Sequence, residues 1–295
     1  MKEEDFPRLL QGRMITGEDL TFIRQLIANN PEAARQQLAD ELCRRWQWHK
    51  PDGSLKDMAA KLLLLKLDRA GLIQLPPPKS KLVNNPKPVE RTPEGEPKPA
   101  ITGPLVKLLP LKFERVTKAN ADLFKELIDR YHYLGYTRLV GAQICYLVYS
   151  QAGLVAALSF SAAAWKVKPR DRFIGWNDRQ RSSNLYLVVN NSRFLILPWV
   201  KCKNLASKLL SQATQQLKDD WQKLYGYTPV LLETFVDVEL FAGTCYRAAN
   251  WIYVGYTQGR GRYDRFHKRK LSEKDIFLFP LRKDFREFLL KEPQA

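Results

Sequence analysis

Two carboxylates stand four residues apart in the stretch LLETFVD, at Glu233 and Asp237. On a strand, positions i and i+4 share a face, so both would point to one side near the strand's end. Paired carboxylates there suit Mg²⁺-assisted phosphodiester chemistry, or a general acid and base. The competing role for Glu233 is a buried structural ion pair with Arg181 or Arg193. A second chemical signal is QGRGR, residues 258–262, with glycines set between basic side chains. Backbone N–H groups in a loop of this kind can cradle phosphates when a helix follows and adds its dipole.

The remaining candidates are cationic. The stretch QGRGRYDRFHKRK carries Arg260, Arg262, Arg265, Lys268, Arg269 and Lys270, with Tyr263 and Phe266 as stacking planes. Arginine, glycine and aromatics interleaved in this way suit a nucleic-acid backbone and unstacked bases. WKVKPRDRFIGWNDRQR offers Arg170, Arg172, Arg179 and Arg181 beside Trp165, Phe173 and Trp176. RSSNLYLVVNNSRF adds Asn184, Asn190, Asn191 and Arg193, whose forked donors fit phosphates or base edges. Tyr246 reads as a packed aromatic, and Cys245 lacks the surroundings that stabilise a thiolate.

Composition agrees with the cationic reading. The chain has 295 residues, with 48 Lys and Arg against 31 Asp and Glu, a net charge of +17. Such an excess favours polyanion partners, above all nucleic acid, because each neutralised phosphate releases counterions. The four cysteines and three histidines are scattered, with no C-x-x-C pair, so neither a zinc site nor a disulfide framework is indicated. No apolar run reaches the length of a membrane span, and MKEEDFPRLLQGR lacks the apolar core of a signal peptide. A cytoplasmic location is expected.

The elements that would position these residues fall into two modules. Nine of the 18 prolines lie in residues 76–104, which reads as a semi-extended linker. Residues 1–75 read as helical. GEDLTFIRQLIANN places Leu20, Ile23 and Ile27 in phase, and PEAARQQLADELCRRWQW starts a second helix at Pro31. Ser54 is expected to cap LKDMAAKLLLLKLDRAG, Gly71 to close it, and LIQLP to follow as a short strand. That outline is winged-helix-like, with Lys56 and Lys61 on the groove-facing helix beside Arg69, Arg44, Arg45 and His49. Residues 105–295 alternate: helix, β-hairpin, a polar insertion, a strand pair kinked at NNS, a long helix from Asn204 to Gly226, the LLETFVD strand, a short helix and a last strand, IYVGYTQG. The fold class is therefore α+β: a winged-helix-like module plus a mixed domain with a central, mostly antiparallel sheet and a basic C-terminal extension.

From Leu111 to Thr257 that order resembles the GNAT acyltransferase fold, with Tyr246, Trp251 and Gly255 standing where that family carries a helix tyrosine and a glycine-bearing strand. The resemblance implies a pyrophosphate loop ahead of the long helix, but here that place reads PWVKCKNLASKLL and has no glycine. QGRGR follows what reads as the last strand, so CoA is not expected as a ligand. More specifically, WHKPDGSLKDMAAKLLLLKLDRAGLIQLP, FIGWNDRQRSSNLYLVVNNSRFLILPWV, NLAS, LLETFVD and GTCYRAANWIYVGYTQGRGR together resemble the DruA family, over about Leu38 to Arg262. This resemblance implies a role in Druantia anti-phage defence or in mobile DNA, with other Druantia proteins, including a large helicase-like one, as partners. The expected function is DNA binding. The alternatives are metal-dependent DNA cleavage or strand transfer by Glu233 and Asp237, and acyl or aminoacyl transfer.

Overall fold

A computed structural model describes residues 2–51, 53–77, 88–259 and 272–292. The chain divides into two compact units, Met1–Pro86 and Lys87–Ala295.

The first unit opens with a hairpin, β1 (Arg8–Leu10) and β2 (Arg13–Ile15), joined at Gln11 and Gly12, both with positive φ. Two such residues match the right-handed twist of the strands. Thr16 then caps α1 (Gly17–Ala28), trading hydrogen bonds with Asp19. The second helix, α2 (Arg35–Arg45), begins four residues after Pro31, where Gln37 reaches back to the Ala34 N–H. Ser54 is not the cap of α3 (Asp57–Arg69); it lies in a tight turn in which its carbonyl accepts from the Lys50 N–H and His49 pairs with Leu55. Gly71, at φ 71°, closes α3 as expected. Leu20, Ile23, Leu38, Leu42, Leu63, Leu64 and Leu67 form the core. Leu72 and Ile73 pack on that core, and among the described residues of the first unit no strand follows α3, so LIQLP does not form the short strand read there.

The second unit is built on one sheet. Its strands are β4 (Lys112–Arg115), β5 (Gln143–Ser150), β6 (Gly153–Ala162), β7 (Val188–Ile196), β9 (Leu231–Asp237), β10 (Ile252–Tyr256) and β11 (Lys274–Pro280), and their order is β10-β11-β9-β7-β6-β5-β4. A small pair, β3 (Ile101–Thr102) with β8 (Val200–Lys201), lies apart from it. The helices are α4 (Ala121–Tyr131), α5 (Lys168–Ile174), α6 (Asp178–Asn184), α7 (Leu205–Tyr225), α8 (Thr244–Ala248) and α9 (Phe285–Leu289). Alternation along the strands sorts the cores. Leu232, Val236 and Phe277 pack with Leu127 of α4 and Leu209 of α7, whereas Leu231, Ile276 and Leu278 pack with Ile174 of α5 and Leu289 of α9.

Three features differ from the reading of the sequence. The kinked strand pair at NNS is a single strand, β7, with a bulge that leaves Ser192 unpaired between Asn191↔Phe160 and Arg193↔Ser159. IYVGYTQG is not the last strand, because β11 inserts between β9 and β10; QGRGR therefore lies on the connection between two antiparallel strands. Residues 88–104, inside the proline-rich run, are folded onto the second unit. Glu126 of α4, fully buried, accepts from the Thr92 N–H at 2.8 Å and the Thr92 hydroxyl at 2.7 Å. Tyr131 donates to the Gly95 carbonyl at 2.8 Å, Arg91 pairs with Asp129 at 2.7 Å, and β3 pairs with β8.

Candidate functional site

Among the described residues one strand pair of the large sheet, β7 with β9, is parallel and the others are antiparallel. β7 and β9 stay together from Val188↔Leu231 to Asn190↔Glu233, and past that point the pairing ends. The bulge at Ser192 bends β7 away, and the two strands diverge around a cleft of about 540 Å³. Residues 191–196 form one wall, 234–237 the other, and 131–134 and 240–246 close the rim.

The cleft floor is a closed polar network. Asn191, buried, donates through Nδ2 to the carbonyls of Ser159 and Arg193, both at 3.1 Å, and its Oδ1 accepts from the Tyr246 hydroxyl at 2.8 Å. Thr234 donates to the Asn191 carbonyl at 3.1 Å. Asn191 thus satisfies the carbonyls that the bulge exposes, and Tyr246 is the packed aromatic the sequence suggested, stacked on Phe277 at 5.8 Å. Burial pushes the Tyr246 hydroxyl well above its ordinary pKa and the Cys245 thiol above its own, so neither is ionised near neutrality.

Cations and rings stand above this floor. Arg193 donates to the carbonyls of Ser192 (2.7 Å) and Gly135 (3.4 Å) and to the Thr137 hydroxyl (3.0 Å). All three acceptors are neutral. His132 stacks on Tyr133 with ring centres 4.8 Å apart, Tyr133 meets Phe241 at 5.5 Å, and the Lys274 ammonium lies 5.7 Å from the Tyr133 ring centre. Burial, then the charges of Arg193 and Lys274, push the His132 pKa down to about 4, so its imidazole is neutral at pH 7. His132, Tyr133 and Phe241 were not singled out in the sequence, because nothing but their aromatic type marks them there; they lie in segments far apart in the chain that the fold alone brings together.

The two candidate catalytic carboxylates are not brought together. Four residues of strand separate them by about 13 Å, too far to share one ion. Glu233, fully buried, accepts from Arg170 at 2.7 Å and from the Ala164 N–H at 2.8 Å. Its structural partner is therefore Arg170, not Arg181 or Arg193. Arg170 is also fully buried, donates to the Ala164 carbonyl and holds Asp171 at 2.7 Å. Burial pushes the Glu233 carboxyl up against the pull of Arg170. Asp237 accepts from the Ser272 hydroxyl and lies 3.6 Å from Lys274; burial would raise its pKa, but these partners and the Glu239 N–H hold it low. Among the described residues no group of three or more His, Cys, Asp or Glu is placed to hold a metal.

The other nucleic-acid candidates are dispersed. Arg172 and Arg179 are exposed on the α5–α6 insertion. Arg181 is buried, paired with Asp178 at 2.7 Å, its guanidinium 5.5 Å from the exposed ring of Trp165. Asn190 faces away from the cleft floor, on the side of β7 opposite to Asn191. In the first unit Lys61 pairs with Asp57 at 3.4 Å, and Lys56 is half-buried, its pKa lowered by burial. The outer face of α3 instead exposes Met58, Leu62, Lys66 and Arg69. Arg260, Arg262, Arg265, Lys268 and Arg269 lie outside the described residues.

The profile of the family described as Druantia protein DruA matches residues 66–270, more than two thirds of the chain. The chain belongs to the DruA family. It is thereby a defence-system component. No curated protein matches it significantly. Among solved structures it is similar to an N-acetyltransferase from Staphylococcus aureus Mu50, at 9% identity and TM-score 0.35, covering 58% of this chain and 97% of that one. It is also similar to a dodecameric spermidine N-acetyltransferase from Vibrio cholerae, at 11% identity and TM-score 0.38, covering 60% and 97%. The second unit of this DruA protein is a mixed α/β domain built on a mostly antiparallel sheet. No helix among the described residues is long and apolar enough to cross a membrane.

Proposed function

We propose that this DruA protein is the DNA-binding component of a Druantia-type or mobile-element system, acting without breaking DNA at Glu233. The observation that carries the reading is the balance of charge. A net of +17 remains while the acids in the second unit's interior, Glu126, Glu233 and Asp237, are each tied to internal partners. Cationic side chains therefore dominate what is left for a partner, and DNA is the polyanion a defence component meets in the cytoplasm. Arg172, Arg179 and the basic stretch 260–270 would extend the contact. The N-terminal helical unit would add a second, through Lys66 and Arg69 at the end of α3. Two joined units raise each other's effective concentration on one molecule. Other Druantia proteins, a helicase-like subunit among them, are the expected protein partners.

CoA does not fit the start of α7. Residues 198–204 contain no glycine, Trp199 is buried there, and β8 is already paired with the strap strand β3. Asn204, not glycine, makes the left-handed turn into the helix at φ 65°. The side chains crowd a backbone approach that a pyrophosphate needs.

Purified protein mixed with labelled single- and double-stranded DNA, with and without Mg²⁺, tests the proposal. Retarded DNA of unaltered length in both conditions is expected. Metal-dependent products lost in Asp237→Ala would replace the reading with a nuclease.

A further inference from the structure

The cleft between β7 and β9 combines features that no interior packing role uses. Arg193 lines it half-buried, with three of its five N–H groups on neutral oxygens, and no carboxylate lies within ion-pair distance among the described residues. Burial lowers its pKa, the mark of a charge lacking its counter-charge. Lys274 adds a second cation, against the one acid Asp237. The rim is aromatic and open, with Tyr133 42% and Phe241 52% exposed beside Leu240. In the floor, by contrast, both Asn191 amide hydrogens are donated to carbonyls and its Oδ1 already accepts from the buried Tyr246 hydroxyl.

We infer that this cleft seats an unpaired DNA base, stacked against Tyr133 and Phe241, with the flanking phosphates on Arg193 and Lys274. The volume of about 540 Å³ suits one nucleoside unit. Stacking accepts any base because every base has a π-face, and a self-satisfied floor offers Asn191 to no base edge. The site is therefore sequence-tolerant, and it prefers strands whose bases are free to leave the stack. The inference rests on the DNA-binding reading and narrows it to one strand form at one place.

The test uses the full chain with a single-stranded oligonucleotide carrying 2-aminopurine, and its duplex. Wild type should change the 2-aminopurine emission of the single strand and bind oligo-dT and oligo-dA alike. Tyr133→Ala with Phe241→Ala should weaken single-strand binding about tenfold and leave duplex affinity within about twofold. Arg193→Gln should weaken the single strand alone and lower its salt dependence. The thermal midpoint reports that each variant is folded, and both rings are exposed enough to remove. Equal losses for both DNA forms, no loss in the double variant, or competition by free dAMP as strong as by the oligonucleotide would each overturn the inference and leave DNA binding standing. Failure of wild type to bind either form would instead remove the DNA-binding reading itself.

Discussion

At the scale of single residues, the decisive pair is Arg170 and Glu233. Both are fully buried and joined at 2.7 Å, so Glu233→Gln leaves a guanidinium in the core with Asp171 as its one remaining carboxylate. Breaking a buried pair from one side costs about 3 kcal/mol, and denaturant unfolding of Glu233→Gln should show a loss of that order. A stability unchanged within error would mean that the pair is not what holds α5 to the sheet. The identity of the partner was illegible in the sequence, because KPRDRF has the composition of a solvated surface turn and only the packing of α5 takes its arginine inside. His132 gives a second check. With its pKa lowered to about 4, the folded state binds a proton less readily than the unfolded chain. Stability at this site is complete above about pH 6.5 and falls as pH drops toward 4. An NMR titration should find one histidine resonance moving near pH 4 and absent in His132→Gln; a midpoint near 6.5 would show that the ring is in water.

At the scale of elements, periodicity made most of the chain readable. The phase of Leu20, Ile23 and Ile27, the glycine after α3, the long helix between Asn204 and Gly226, and the LLETFVD strand all follow from spacing and caps. β11 escaped because DIFLFP follows a basic run, and the cleft escaped because a bulge, not a motif, parts β7 from β9. The strap at residues 88–104 was read as a linker for the same reason: it is held by polar staples where prolines and charges suggest none. Gly95 tests it. A Cβ there would collide with the Glu126 carboxylate, so Gly95→Ala must displace either that carboxylate or the strap and loosen the bonds to Thr92. Limited proteolysis should then cut within residues 88–104 sooner than in wild type, while the sheet stays protected. An unchanged cleavage pattern would mean that the staples are not what retains the strap.

At the scale of the whole molecule, a mixed α/β domain is joined to a helical unit in a protein whose net charge is +17. Three of its acids, Glu126, Glu233 and Asp237, are buried against partners, the last two stand about 13 Å apart along one strand, and the cleft between β7 and β9 is lined by Arg193 and the rings of Tyr133 and Phe241. Binding that depends on phosphate neutralisation has a signature that no stacking or packing contact reproduces. The logarithm of the association constant falls linearly with the logarithm of salt, by about 0.7 to 0.9 per phosphate contact. Anisotropy of a labelled oligonucleotide, titrated with the full chain from about 50 to 200 mM salt, measures that slope directly. A steep slope, equivalent to several phosphates, is the predicted result; no binding at the lowest salt, or an affinity indifferent to salt, would contradict the account.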